Sequence, residues 1–243
     1  MENIQLCHGD CLEIMDKLIE QGMKVDMILT DLPYGTTACK WDVVIPFDEM
    51  WERLNKLVKP NGAIVLFGSQ PFTSKLTMSN LKMFKYEWIW HKNKGGNPLN
   101  AKRMPLRSHE DILVFYKSLP TYNPQMSEGK PLHGKGSSYK TKELTNNCYG
   151  SLGATEDVRK GSTEKYPTSI VRFQKPHPSC AVHPTQKSKE LCEWLIKTYT
   201  NEGETVLDNC MGSGTTGVAA INTNRHFIGM ELSEKYFHIA EDR

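Results

Sequence analysis

The sequence lacks any apolar run approaching the roughly 20 residues that a membrane-spanning helix needs, so no membrane association is expected. It also lacks a disulfide pattern. Its 7 cysteines are odd in number, scattered, and never form a Cys-x-x-Cys pair, which argues against both a stapled secreted fold and a zinc site. Met1-Glu2-Asn3-Ile4 has neither the basic nor the apolar region of a secretory leader. A reduced, cytoplasmic protein without a metal is expected. A large excess of one charge is missing too: 30 Lys or Arg against 28 Asp or Glu leave a net charge of only +2.

What the chain has is an uneven distribution of that charge. Residues 85–176 carry 16 basic against 8 acidic side chains, while 1–84 and 177–243 are each acidic by three. A basic block between two mildly acidic ones is the footprint of a polyanion-binding insertion, although a solvated surface can carry the same charges. The mean hydropathy of −0.51 is that of a water-soluble domain.

Periodicity places strands at Ile4–His8, Val25–Thr30, Ala63–Phe67, Tyr86–His91, Ile112–Tyr116, Thr205–Asp208 and Phe227–Glu231. Helical spacing covers Cys11–Gln21, Phe47–Val58, Pro71–Met83, Ser188–Tyr199, the stretch after Gly214 to Asn222, and Ser233–Asp242. The strands 86–91 and 112–116 are expected to pair antiparallel at one edge of the sheet. Between 118 and 182 periodicity fails, apart from Ser169–Phe173. Strand and helix alternate at both ends of the chain. The expected fold is therefore α/β, a doubly wound and mostly parallel sheet. Residues 1–117 and 183–243 form one domain, and 118–182 are an irregular basic insertion.

Two strand ends carry chemistry. The apolar run Val25–Thr30 ends in Asp31-Leu32-Pro33-Tyr34-Gly35, which places a carboxylate, a free carbonyl and a phenol at the carboxyl edge of the sheet, where open α/β sheets bind ligands. Alone, such a sequence is often only a turn. The second is Thr205-Val206-Leu207-Asp208-Asn209-Cys210-Met211-Gly212-Ser213-Gly214-Thr215-Thr216, a strand with an acidic exit and a glycine turn into a helix. Glu231, about 23 residues past Asp208, closes the next strand, where a carboxylate can chelate a ribose diol. Gly217 also completes a Gly-x-Gly-x-x-Gly spacing, so the turn alone fits dinucleotide and nucleoside ligands equally. Asp208 discriminates between them: it would repel a pyrophosphate and suits a cationic, amino-bearing ligand.

Together these stretches resemble the amino-methylating DNA methyltransferases. Asp31-Leu32-Pro33-Tyr34 is similar to the family's Asp/Asn/Ser-Pro-Pro-Tyr motif, and Asp208–Thr216 to its Asp-Pro-Phe-x-Gly-Ser-Gly-Thr-Thr motif. Phe227–Glu231 with Tyr236, Ile239 and Ala240, and His183-Pro184-Thr185-Gln186-Lys187, resemble the segments that flank the cofactor motif. The motif order is that of the permuted β group. Leu32 departs from the first proline, and Asn209-Cys210 from Pro-Phe.

The resemblance implies a Rossmann-like methyltransferase fold, often dimeric, and S-adenosylmethionine as cofactor. The substrate would be double-stranded DNA methylated at adenine N6, as in restriction–modification systems. Asp31, Pro33 and Tyr34 would be catalytic, the tyrosine stacking on a flipped base. Asp10, Asp31, Thr185, Lys187, Asp208, Gly212, Gly214, Thr215 and Glu231 would meet the cofactor, with Thr185, Lys187 and Thr215 on its carboxylate. Asp10 reads equally as a helix N-cap; for Lys187 the lesser alternative is a solvated lysine in the first turn of its helix. DNA contacts are expected among Lys92, Lys94, Lys102, Arg103, Arg107, Lys135, Lys140, Arg159, Lys160, Arg172 and Lys175. N4-cytosine methylation stays open, since the same geometry serves either amine, as does a catalytically silent nucleic-acid-binding module. Cytosine C5 methylation is set aside, because no cysteine follows a proline.

Overall fold

The computed structural model describes residues 4–37, 39, 42–96, 98–131, 144–146, 150–152, 161–176, 182, 183 and 185–243. The strands are β1 (Ile4–His8), β2 (Val25–Thr30), β3 (Val58–Gly68), β4 (Phe84–Gly96), β5 (Arg107–Phe115), β6 (Ser127–Glu128), β7 (Leu144–Asn146), β8 (Gly150–Leu152), β9 (Glu164–Lys165), β10 (Ile170–Arg172), β11 (Thr205–Asp208) and β12 (His226–Glu231). Eight of them form one sheet in the order β1-β12-β11-β2-β3-β5-β4-β10. Neighbours in this sheet are parallel except where β5 pairs with β3 and β4. β5 is thus the one reversed strand of the eight.

The helices are α1 (Cys11–Glu20), α2 (Phe47–Leu57), α3 (Phe72–Ser79), α4 (Lys189–Tyr199), α5 (Thr215–Asn222) and α6 (Glu234–Glu241). Side chains alternate along each strand, and the two helix layers divide them accordingly. Ile28 of β2 joins Ile14, Met15, Leu18, Met50, Leu54, Phe72 and Leu76 from α1, α2 and α3. Met27 and Leu29 join Leu191, Leu195, Ile196, Ala219 and Ala220 from α4 and α5. Each fully buried aliphatic side chain contributes about 1.5–3 kcal/mol of transfer free energy, so β2 is anchored from both faces before its polar end begins.

Contact density divides the chain into Met1–Asn123 with Thr168–Arg243, and Pro124–Pro167. The first unit holds the eight-stranded sheet. Within the second, β6 pairs antiparallel with β9 and β7 with β8.

The doubly wound, mostly parallel sheet is as expected, with one correction at its edge. β4 and β5 are antiparallel, but β10 continues the sheet beyond β4, so Ile170–Arg172 belongs to the main sheet. Strand ends also run longer than periodicity indicated, because Pro60-Asn61-Gly62 remains inside β3 and Lys92–Gly96 inside β4.

Gly214 caps α5 in a left-handed conformation, φ 77°, and a Cβ there would stand 3.0 Å from the Cβ of Ala240. Gly214→Ala is expected to lower the melting temperature, the strained φ and the clash together destabilising by about 1 kcal/mol or more. Thermal unfolding of the two proteins checks it.

Candidate active site

Parallel strands end together, and their ends line up the acids along one edge. Across the sheet the order is Asp10 after β1, Glu231 ending β12, Asp208 ending β11 and Asp31 just past β2. Strands lie about 4.8 Å apart, so the three intervals from β1 to β2 span about 14 Å, the reach of an extended nucleoside joined to an amino acid. β5 runs the other way, so its beginning, with Glu110, lies where the parallel strands end. These residues line one cleft of about 860 Å³, together with Pro33, Tyr34, Thr185, Lys187, Gly212, Thr215 and others.

Asp31 follows the Met27–Leu29 alternation toward the α4 side of the sheet. Its Oδ1 accepts a hydrogen bond from the Tyr34 hydroxyl at 2.7 Å, and its Oδ2 pairs with Lys187 Nζ at 2.7 Å. Lys187 Nζ also reaches Glu110 Oε2 at 3.2 Å, and Glu110 Oε1 pairs with Lys92 Nζ at 2.7 Å. Hydrogen bonds and ion pairs thus run continuously from Tyr34 through Asp31, Lys187 and Glu110 to Lys92. Burial raises the Asp31 carboxyl, and Lys187 opposes that rise. Burial works against Glu110 as well, yet Lys187 and Lys92 hold it down at about 2. Burial disfavours the Lys187 charge, but Asp31 and Glu110 more than offset it, and its pKa is raised.

Local sequence explains these placements. Ser188 caps α4 by accepting from Leu191 N, which holds Lys187 at the helix entrance. Just before it, Thr185 N donates to His183 Nδ1 and Gln186 Oε1 accepts from Val182 N. The His183 ring meets Tyr236 edge-on at 4.2 Å. The Tyr34 ring stacks on Phe72 at 4.7 Å, so one of its faces is covered by α3. Asp42 accepts from the backbone of Gly35, Thr36 and Thr37 at 2.8, 2.9 and 2.6 Å, pinning the loop that leaves Tyr34.

At the other end of the cleft, Glu231 is oriented by two backbone donors, Gly212 N at 2.9 Å and Ser233 N at 2.7 Å. Each carboxylate oxygen keeps a second lone pair for a ligand hydroxyl. Asp208 accepts from Cys210 N at 3.0 Å, and burial pushes its carboxyl up to about 6. Asn209 is buried, and its Oδ1 has no hydrogen-bond partner among the described residues. Gly212 adopts φ 54°, where a side chain would be strained. Asp10 is both things at once: it caps α1 through Oδ1, bonded to Leu12 N and Glu13 N, and lines the cleft.

Gly214 stands against Ala240, where an added Cβ would meet the Ala240 Cβ at 3.0 Å, while its neighbours Ser213 and Thr215 line the cleft. One expectation changes and one open reading closes. Lys92 is buried and committed to Glu110, so it is not an exposed DNA contact. Lys187 is not solvated but sits between two carboxylates. Lys94, Lys102, Arg103, Arg107, Arg172 and Lys175 are exposed, and Arg107 and Lys175 reach the cleft. Lys135, Lys140, Arg159 and Lys160 lie outside the described residues. Glu110, Asp42 and Phe72 were missed by sequence reasoning. Glu110 left one trace, an acid at the mouth of a strand inside the basic block, which becomes meaningful only once β5 is known to be reversed.

Comparison with known proteins agrees with this geometry. A family profile described as DNA methylase, for N6 and N4 methyltransferases, matches residues 25–242. The chain is 29% identical over 267 residues to the Type II methyltransferase M2.LlaDCHI of Lactococcus lactis subsp. cremoris, covering 100% of this chain and 89% of that one. It is 27% identical over 250 residues to the DNA adenine methyltransferase YhdJ of Escherichia coli (strain K12), covering 95% and 79%. A crystal structure of an M1.HpyAVI–SAM complex superposes with a TM-score of 0.66 at 31% identity, covering 99% of both chains. The profile takes in most of the chain, including both acidic strand ends, and the protein therefore belongs to the amino-methylating DNA methyltransferases.

Proposed function

We propose that the protein moves a methyl group from S-adenosylmethionine to the N6 amino group of an adenine flipped out of double-stranded DNA. The observation that carries this reading is Asp31, an acceptor held by Tyr34 and Lys187 at the strand end beside Asp208.

The cleft residues suit the cofactor. Glu231 offers lone pairs to a ribose diol, Asp10 to an amino group, and the buried Asn209 Oδ1 has unused acceptor capacity. Gly212 allows close backbone approach. Thr185 and Thr215 supply hydroxyls for a carboxylate, and Lys187 faces the same space with its charge shared between Asp31 and Glu110. Asp208 lies where a cation is favoured. When bound, the cofactor supplies an electrophilic methyl on a sulfonium.

The remaining work falls to side chains of this protein. An exocyclic amine is a poor nucleophile because its lone pair is delocalised into the ring. Asp31 and the Pro33 carbonyl accept its two N–H bonds, favouring a tetrahedral nitrogen with a localised lone pair and stabilising the positive charge that develops there. Tyr34 offers the ring face not covered by Phe72 to the flipped base, whose extrusion costs a few kcal/mol. The surplus proton leaves after transfer, so Asp31 need not be a strong base. Lys94 near the end of β4, Lys102 and Arg103 in the connection that follows, and Arg107 at the start of β5 serve the DNA backbone.

Two measurements test the reading. Nucleoside analysis of DNA treated with the enzyme is expected to show N6-methyldeoxyadenosine; N4-methyldeoxycytidine would move the assignment to the alternative amine. A cation beside Asp208 stabilises its ionised form, so binding below its value of about 6 must displace a proton. Cofactor affinity is therefore expected to weaken as pH falls below about 6, and this dependence should vanish in Asp208→Asn. Calorimetry across the pH range reads both.

A further inference from the structure

We propose that Glu110 is a positioning residue for methyl transfer, taking a share of the Lys187 ammonium's charge so that Asp31 keeps acceptor strength for the target amine. This rests on the assignment of Asp31 to that amine. The geometry is specific. Glu110 spends its two oxygens on two different lysines, Oε1 on Lys92 at 2.7 Å and Oε2 on Lys187 at 3.2 Å, while Lys187 stands 2.7 Å from Asp31. All three of Asp31, Lys187 and Glu110 line the cleft, and the ammonium is nearly buried.

Consider what each partner alone would do. Without Lys187, a buried Asp31 would be driven toward its neutral form, which accepts hydrogen bonds poorly. With Lys187 all to itself, Asp31 would be ionised, but the whole ammonium charge would be spent on it in a desolvated ion pair. Methyl transfer places new positive charge on the amine beside Asp31, and a carboxylate already neutralised by a close ammonium stabilises that charge less. Glu110 resolves the conflict. It splits the ammonium between two carboxylates, and Lys92 balances the second negative charge from the far side. The reversed direction of β5 is what brings a strand-opening acid to this edge.

A purely structural Glu110, present only to neutralise buried Lys92, makes different predictions. Glu110→Gln is expected to lower kcat by about 30–100-fold, the cost of a misplaced catalytic contact. Cofactor Kd by calorimetry should stay within about threefold, since the residues proposed for the ribose and adenine are untouched. Glu110→Gln leaves Lys92 unpaired, so Lys92→Met is added on the same background to remove the stranded charge. The double variant should regain the wild-type melting temperature and keep the low kcat. Return of kcat to near wild type in the double variant would overturn the proposal, as would an unchanged kcat in Glu110→Gln.

A second readout needs no turnover. The Asp31 carboxyl can be followed by NMR of labelled aspartate, assigned with Asp31→Asn. It faces Lys187, Tyr34 and Glu110 directly, with Asp208, Lys175 and Cys192 in its field. Removing the Glu110 charge and leaving Lys187 to Asp31 both favour ionisation, so its pKa should fall in Glu110→Gln. A pKa that stays or rises overturns the proposal, whether or not the wild-type enzyme methylates a given DNA. Absence of transfer by the wild type instead counts against the amine assignment itself.

Discussion

Asp31→Ala is expected to lower methyl transfer to DNA by about 10²–10³-fold, the usual cost of losing one preorganised electrostatic partner. Cofactor affinity should change little, because the proposed ribose and adenine contacts at Glu231 and Asp10 are two or more strands away. The fold should tolerate the change. Lys187 retains Glu110 as an ion partner at 3.2 Å, so no buried ammonium is stranded. Tyr34 loses its acceptor but keeps its stack on Phe72. Asp31→Asn sharpens the result: its shape is preserved and its charge is not, so a comparable loss would identify charge as what the reaction uses. Steady-state kinetics paired with calorimetry separates the two effects. Loss of binding and turnover together would mean that Asp31 serves the cofactor instead of the amine.

The second large effect is the converse. Glu231→Ala removes the carboxylate proposed for the ribose diol and also the acceptor for Gly212 N and Ser233 N. A hydrogen bond to a charged group contributes about 1.5–3 kcal/mol, so the loss of even one should raise cofactor Kd by at least roughly tenfold to hundredfold. Turnover at saturating cofactor should stay near wild type, since the amine site is on another strand. Glu231→Gln helps apportion the loss, because its amide oxygen can still accept one backbone bond. A Glu231→Ala protein with unaltered Kd and reduced kcat would reverse the roles given to the two ends of the cleft.

The fold was legible because its signals are local. Val25–Thr30 is mostly apolar, with Met27, Ile28 and Leu29 fully buried at its centre, and Asp31 and Asp208 mark where two neighbouring strands leave the core. Gly212 could be read as a ligand-side turn residue. Gly214 could not be told from it, since positive φ is common to both and only the Ala240 contact separates them. Lys92 reads as a DNA contact for a local reason. A lysine in a basic stretch reads as exposed, and its partner Glu110 stands 18 residues later on another strand. Asp42 escaped notice similarly, because its bonds go to backbone amides of Gly35, Thr36 and Thr37, which have no sequence signature. Contacts within one strand end are visible in a sequence, whereas charges that meet across strands depend on strand order and direction.

The central claim is that a single cleft presents a methyl donor to an amine held by Asp31. The measurement that bears on it most directly is single-turnover transfer of a labelled methyl group from S-adenosylmethionine to unmethylated double-stranded DNA, with digestion to nucleosides. Label in N6-methyldeoxyadenosine with the wild-type protein, and none above background with Asp31→Ala that still binds cofactor, is the predicted result. Failure to label any DNA, or equal labelling by Asp31→Ala, would contradict it.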